Sequence, residues 1–342
     1  MKSAYLIRVF LCFLFPIGNC VANAYPSQKK VGIITSSNMY GDLEVAYRMK
    51  IAGERLGWIV VLDETNGEGL RNIPLDFAIV TTGFEKVRFR SIDYPYYLVV
   101  YQKVPFFDDH GFLHDEYADY NGYLLTIKKD GLFGFDPDKM HPILPNIFFY
   151  PTAYSTPYQP VTLCHLAYII PSWGNRAISR RFTDLYDRLS RDRFSRFYGS
   201  GRFGGLYGKQ YIGTLPFNGQ AIIEMYQSNG IALVLHSDIH LAEEIPSGRV
   251  FEAAAASAVI ISDRNPFIEK YFGDSVFYIN TSLSGAGMFA EIQSHIQTIL
   301  NNPKKALKMA RKAHQIFLEK FAMESQLLKL EEMHEQILQK KP

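Results

Sequence analysis

The chain has 342 residues, of which 36 are Lys or Arg and 34 are Asp or Glu, for a formal net charge of +2. A balance so close to neutral gives no electrostatic drive towards nucleic acid or an anionic membrane. The length is more than one hydrophobic core usually serves and suits two domains of about 150 residues.

Lys2 and Arg8 precede an apolar run from Val9 to Ile17, and Ala22-Asn-Ala24 offers a small-residue cleavage site before Tyr25. Residues 1–24 are therefore expected to be a signal peptide, with the mature chain exported to the periplasm or beyond. The run is shorter than the roughly 20 residues of a membrane span; left uncleaved, the segment would serve as an N-terminal anchor. Without Lys2 and Arg8 the 36 basic residues become 34, equal to the acids. Cys12 and Cys20 lie in this segment, which leaves Cys164 alone and unable to form an internal disulfide. Its apolar surroundings, Val161 to Ile170, predict a core position.

Val31-Gly-Ile-Ile-Thr-Ser36 reads as a buried strand running into a polar loop, and Leu43, Val45, Ala46, Met49, Ala52 and Leu56 recur at helical spacing before Gly57 ends the helix. Strands are predicted at Trp58–Leu62, Leu75–Thr82, Tyr96–Tyr101, Gly122–Ile127 and Ile147–Tyr150. Pro151, Pro157 and Pro160 then punctuate the chain like a linker. A second series begins with a strand over 163–170, followed by an amphipathic helix over 177–189 and a strand at Arg196–Gly199. Next come Tyr211–Pro216, a helix over 221–227 and a strand at Ile231–Ser237. Ser247 can cap a helix that starts at Gly248, Val259–Asp263 follows as a buried strand, and Ser275–Ile279 is the last strand. Residues from Met288 to Lys340 are helical, with a break near Asn301-Asn-Pro303. Apolar strands alternating with helices, twice over, predict two Rossmann-like, doubly wound α/β domains facing across a cleft. The domains are placed at 25–155 and 156–330, with 331–342 as a helical tail expected to fold back towards the first domain.

Glu244-Ile-Pro-Ser-Gly-Arg-Val-Phe-Glu252 sets two carboxylates eight positions apart, the first in a loop and the second inside an alanine-rich helix. Free N–H groups and the positive end of the helix dipole favour an anion beside them. Paired acids beside such a site fit hydroxyls flanking a diphosphate, as in a nucleotide-sugar. With Leu166-Ala-Tyr-Ile-Ile-Pro-Ser-Trp-Gly-Asn-Arg176, Phe197-Tyr-Gly199, Tyr211-Ile-Gly-Thr-Leu-Pro216 and Val259–Asp263, this stretch resembles the donor domain of GT-B glycosyltransferases of the group 1 type. The similarity is to the branch that includes spore-maturation glycosyltransferase-like proteins, and it covers residues from about 163 to 330.

The resemblance implies a hexosyl-type transfer from a nucleoside diphosphate sugar to the hydroxyl of an unidentified glycan, lipid or protein, with retention of configuration and without a metal or other cofactor. Glu252 would take the ribose hydroxyls, Glu244 the donor sugar, and the backbone N–H groups of Ser247, Gly248 and Arg249 the diphosphate. Arg176 and Lys209 would be the cationic clamp on the leaving phosphate, and Gly199 and Gly201 would lie near the nucleobase. His110, or His114, with Tyr40 and Gly41 would face the acceptor side. Family members commonly carry glycines after the first acid, whereas Ile245-Pro246-Ser247 stand here, and Glu243 competes with Glu244.

Each residue also has a plainer reading: Glu252 as an acid in the first turns of a helix, Arg176 as a helix-entry cation, Lys209 as a solvated lysine. His110 and His114 are four apart among carboxylates, but Gly111 weakens a helix there and an exposed acidic loop accounts for them. Asp136-Pro-Asp138 reads as a turn, and Gly199-Ser-Gly-Arg-Phe-Gly204 is a weak dinucleotide fingerprint without a convincing helix after it. Two readings from other classes stay open: a periplasmic bilobal solute-binding protein, and a degenerate transferase that binds sugar nucleotides or glycans without turnover. Membrane contact also stays open.

Overall fold

The computed structural model describes residues 28–37, 40–81, 94–100, 117, 119–126, 145–170, 180–199, 208–242 and 244–340. The proposed signal peptide, His110, His114, Asp136, Asp138, Arg176, Gly201 and Glu243 lie outside them.

Six parallel strands form the first sheet: β1 (Lys30–Ile34), β2 (Ile59–Asp63), β3 (Phe77–Val80), β4 (Tyr96–Val100), β5 (Gly122–Leu125) and β6 (Asn146–Phe148), in the order β2-β1-β3-β4-β5-β6. The helix α1 (Tyr40–Arg55) connects β1 to β2, and Gly57 leaves it at a φ of 84° that favours glycine. A second sheet, β12-β11-β10-β7-β8-β9, is built from β7 (His165–Ile170), β8 (Ser195–Gly199), β9 (Tyr211–Gly213), β10 (Gly230–Val234), β11 (Val259–Asp263) and β12 (Phe277–Ile279). All its pairings are parallel. Strand order reverses between β1 and β3 in one sheet and between β7 and β10 in the other, which makes both doubly wound, with a crevice beyond the carboxyl ends at each reversal.

Helices α2 (Arg180–Arg191), α3 (Ala221–Asn229), α4 (Asp238–Ala242), α5 (Gly248–Ala255), α6 (Pro266–Phe272) and α7 (Gly285–Asn301) belong to the second half. The last segment is two helices after α7, α8 (Pro303–Lys320) and α9 (Met323–Gln339), because the chain turns once more at Phe321-Ala322. Residues 331–339 are thus the second half of α9. That helix packs on α1 and β6. Tyr97 and His334 meet through the phenol oxygen and Nδ1 at 2.8 Å, and Lys29 pairs with Glu331, so the chain end rejoins the first sheet.

The apolar core is continuous between the halves. Phe251 of α5, Phe267 and Phe272 of α6 and Phe321 between α8 and α9 share one cluster with Ala46 and Met49 of α1, and Tyr150, just before the linker, packs against it. The linker does not bury Cys164: the strand starts one residue later, and Cys164 is exposed while its N–H reaches the Asn229 carbonyl at 3.1 Å. Among the described residues no helix is long and apolar enough to cross a membrane.

Candidate donor-binding site between the two sheets

The carboxyl ends of β10 and β11 continue into His236 and Asp263, both fully buried. The Asp263 carboxylate accepts from the His236 N–H at 2.9 Å through Oδ2 and lies 2.5 Å from His236 Nδ1 through Oδ1. His236 Nε2 in turn accepts the Ser247 N–H at 3.0 Å. An acceptor at Nε2 requires the ring hydrogen on Nδ1, where the carboxylate receives it. The two strand ends thereby hold the loop before α5 in place.

Ser247 is the N-cap of α5, with extended backbone and its Oγ accepting from the Arg249 N–H at 3.4 Å. Ala253, Ala254 and Ala255 have side chains small enough for α5 to be buried from Val250 onward, against α3, α8 and the sheet. Its last carbonyls are taken up by Thr156 Oγ1 on Ala255 and His314 Nδ1 on Ala254. Of the three backbone N–H groups expected at a diphosphate, that of Ser247 is taken by His236 and that of Arg249 by the Ser247 hydroxyl, and Gly248 stands between them. A Cβ at Gly248 would lie 3.3 Å from the Pro151 carbonyl oxygen and 4.0 Å from Glu252 Oε1, so the linker passes directly over the helix start.

Glu252 is 1% exposed. Arg249 Nη1 donates to both of its oxygens, at 2.6 and 2.7 Å, and Arg48 Nη2 lies 2.6 Å from Oε1. Arg48 belongs to α1 of the first domain and is equally buried; its Nη2 also donates to Glu44 Oε1 at 2.7 Å. Glu44 Oε2 accepts the Gly219 N–H of the second domain at 3.1 Å. Two acids and two arginines therefore alternate across the seam. Burial by itself would raise the Glu252 carboxyl; the charges of Arg249 and then Arg48, with their hydrogen bonds, outweigh it and hold the group below the usual carboxylate range. Burial pushes the nearby Tyr226 phenol far up, with Glu252 adding to the shift.

The other expected residues fall at varying distances from this centre. Glu244 occupies an exposed turn with a φ of 55°, its N–H directed to the Leu241 carbonyl. Gly199 ends β8 at a φ of 131°, and a Cβ there would be 2.9 Å from the Ile170 carbonyl oxygen. Only glycine fits this position at the carboxyl edge of the sheet. Tyr40 and Gly41 begin α1 at the carboxyl edge of the first sheet, and Gly41 is open to solvent.

Lys209 is not brought to the site. It sits in a 3-10 turn, Gly208–Gln210, ahead of β9, beside the beginning of β8. Its neighbour Gln210 bonds Arg196 Nη1 at 3.0 Å, and Arg196 Nη2 meets His165 at the first residue of β7. That is the amino edge of the sheet, opposite the edge from which Ser247 and Glu252 extend. The sequence pattern marked Glu252 but not its partner Arg48, the Glu44 that holds Arg48, or the His236–Asp263 pair that supports the Ser247 loop. The available signal was polar residues closing two otherwise apolar strands; for Arg48 and Glu44, helical periodicity gave none. Among the described residues no three His, Cys, Asp or Glu side chains gather as a metal site would require.

Parallel, doubly wound sheets facing each other, with a capped helix and its acid at the carboxyl edge of the second, decide the architecture. The fold is GT-B. Residues 179–332 match a family model described as glycosyl transferase-like. Solved structures of the GT-B kind align over most of the chain at low identity. An α-glucosyltransferase in complex with UDP and a 13-mer DNA aligns with a TM-score of 0.57 at 8% identity, over 90% of this chain and 99% of that one. A sucrose-phosphate synthase from Thermosynechococcus elongatus gives 0.56 at 9% identity, over 92% and 100%. A glycosyltransferase from Rickettsia africae gives 0.52 at 13% identity, also over 92% and 100%. The chain spans 57% of the length of TarM, to which it aligns at a TM-score of 0.45. No curated protein matches the sequence.

Proposed function

We propose that the protein is a GT-B glycosyltransferase of the group 1, spore-maturation-like branch, which moves a sugar from a nucleoside diphosphate donor to an acceptor hydroxyl. The observation that carries this reading is the ionised, buried Glu252 carboxylate beside the capped start of α5, at the carboxyl edge of the donor-side sheet and against the first domain. A carboxylate held in that state accepts two hydroxyl hydrogens from a ribose 2′,3′-diol, while the helix start and the Gly248 N–H favour the diphosphate. Glu244, 8 positions earlier, would approach the sugar. With no nucleophile–base pair at the seam among the described residues, transfer on the donor's own face suits the site. There the departing phosphate oxygen takes the acceptor proton, and the configuration is retained. Arg249 and the proposed Arg176 would steady the charge that builds on that phosphate.

Calorimetry with UDP, GDP, ADP and dTDP tests the reading, with UDP first because the α-glucosyltransferase structure holds it. One of the four should bind the wild type, and Glu252→Gln should weaken that binding at least tenfold. If none binds, the reading fails. NMR of the product formed from the matching donor then reports retention or inversion, and turnover in excess chelator reports the need for a metal. Export is a separate proposal that rests on the expected signal peptide: mass spectrometry should find a secreted chain that begins at Tyr25, and a chain that keeps residues 1–24 would overturn it.

A further inference from the structure

The seam between the domains contains a residue whose chemistry exceeds what packing needs. Arg48 is a first-domain arginine placed 2.6 Å from the carboxylate read above as the ribose contact, with its side chain 2% exposed. Its counterpart on the same carboxylate, Arg249, has a side chain that is 33% exposed. The two arginines are therefore unequal. Solvent, and a ligand arriving from it, meets Arg249 first. Arg48 lies behind. Oε1 is shared by both guanidinium groups, whereas Oε2 is held by Arg249 alone.

We propose that Arg48 is a positioning residue for nucleotide binding: it fixes Glu252 through Oε1 from the side away from solvent and leaves Arg249 as the group that the ribose displaces. The inference rests on the reading of Glu252 as the ribose contact and goes beyond it by assigning a first-domain residue to a second-domain ligand.

The electrostatics follow from the geometry. When Arg249 turns out to solvent, Oε2 is released for a hydroxyl, and Arg48 still neutralises the carboxylate. Without Arg48 the departure of Arg249 would leave a buried, unpaired anion, a state that favours protonation. A protonated Glu252 offers one acceptor fewer to the diol. Arg48 is itself kept in place by Glu44, which also accepts the Gly219 N–H, so the pose of Glu252 depends on α1 resting against the second domain. Gly219 makes that approach feasible: at a φ of 79°, a Cβ would lie 3.1 Å from Tyr47 Cβ and 3.2 Å from the Arg48 nitrogen. Arg48 Nε has no partner among the described residues, so only its Nη2 edge is committed. The charged and titratable groups facing Glu252 are Arg48 and Glu44 from α1, Arg249 from α5 and Tyr226 from α3.

The experiment measures binding of whichever of UDP, GDP, ADP or dTDP the wild type takes up, from pH 5 to 8, for wild type, Arg48→Lys and the charge-compensated double variant Glu44→Gln with Arg48→Met. Expected is a loss of at least fivefold at pH 7.5 in both variants, widening as pH falls in the double variant, where nothing cationic remains behind Glu252. Arg48→Lys keeps the charge and loses only the reach, so its pH profile should track the wild type. Equal affinity and an unchanged profile in both folded variants overturn the inference while leaving the function standing. No nucleotide binding by the wild type sinks the function itself. Should neither variant fold, hydrogen exchange of the wild type decides: nucleotide must slow exchange at the amides around Arg48 in α1, and unaltered exchange there refutes the assignment.

Discussion

Replacing Glu252 by Gln tests the seam as a charged network. The wild type places two cations, the buried Arg48 and the part-exposed Arg249, on one buried carboxylate. Gln keeps the shape and one acceptor oxygen but removes the charge. Breaking a buried ion pair typically costs about 3–5 kcal/mol. Here the cost belongs at the lower end, because Arg249 can swing into solvent and Arg48 keeps Glu44 at 2.7 Å. We expect about 3 kcal/mol at pH 7.5, which for a chain of 342 residues, at about 2.1 cal/mol/K of unfolding entropy per residue, lowers Tm by about 4 °C. The pH dependence has a definite sign. The folded-state carboxyl lies below its ordinary value, so its stabilisation is complete above the unfolded-state range near 4.5 and is lost as pH falls through the folded value. Wild type and variant should therefore differ most at neutral pH and converge in acid. Calorimetric unfolding of both proteins from pH 7.5 down to 3.5 measures this directly. A Tm within about 1 °C of wild type at neutral pH would show that the carboxylate does not hold the two arginines as a charged network.

Further outcomes follow from other contacts. His236→Ala removes the acceptor of the Ser247 N–H and the imidazole partner of the Asp263 carboxylate; we expect about 1–3 kcal/mol of lost stability and weaker nucleotide binding, and near-wild-type values for both would remove His236 from the loop's support. Gly219→Val meets a positive φ and backbone 3.2 Å away, so a Tm drop equivalent to about 1–3 kcal/mol is expected, whereas a stable variant would mean that α1 is not packed on this loop. His334 is buried between Phe77 and Tyr97, and burial, then Lys29, lowers its pKa. Its neutral form therefore stabilises fully above about 6.5, and stability declines as pH falls from there to the folded value; His334→Gln should flatten that limb of the stability profile, and an unchanged slope would count against it.

Much of this molecule is legible in one dimension. Val31–Ile34, Phe77–Val80 and Val259–Asp263 are apolar runs with breakers on both sides, and a strand buried on both faces demands that composition, so the alternation with helices dictates a doubly wound class. Ser247 before Gly248 marks a cap because the free N–H groups of a helix start need an oxygen nearby, and the structure places it there. Short elements were less legible: α4 and α6, of 5 and 7 residues, are too brief for a 3.6-residue period to emerge. The chain turn at Phe321-Ala322 hides for another reason, since neither residue breaks a helix and only the packing of Phe321 among Tyr150, Phe251 and Phe272 puts it there.

The spacing of Glu244 and Glu252 determined where a donor could be read, because sequence fixes what lies along one loop and one helix. It could not determine what faces Glu252 from 204 positions away. Arg48 and Glu44 are ordinary charges on α1 until the two sheets meet, and His236 is an ordinary strand end until Asp263 lies beside it. Lys209 shows the converse: near the motif in sequence, it is carried by a parallel strand to the opposite edge of the sheet. Long-range electrostatics depend on distance through space, and only the tertiary structure sets those distances.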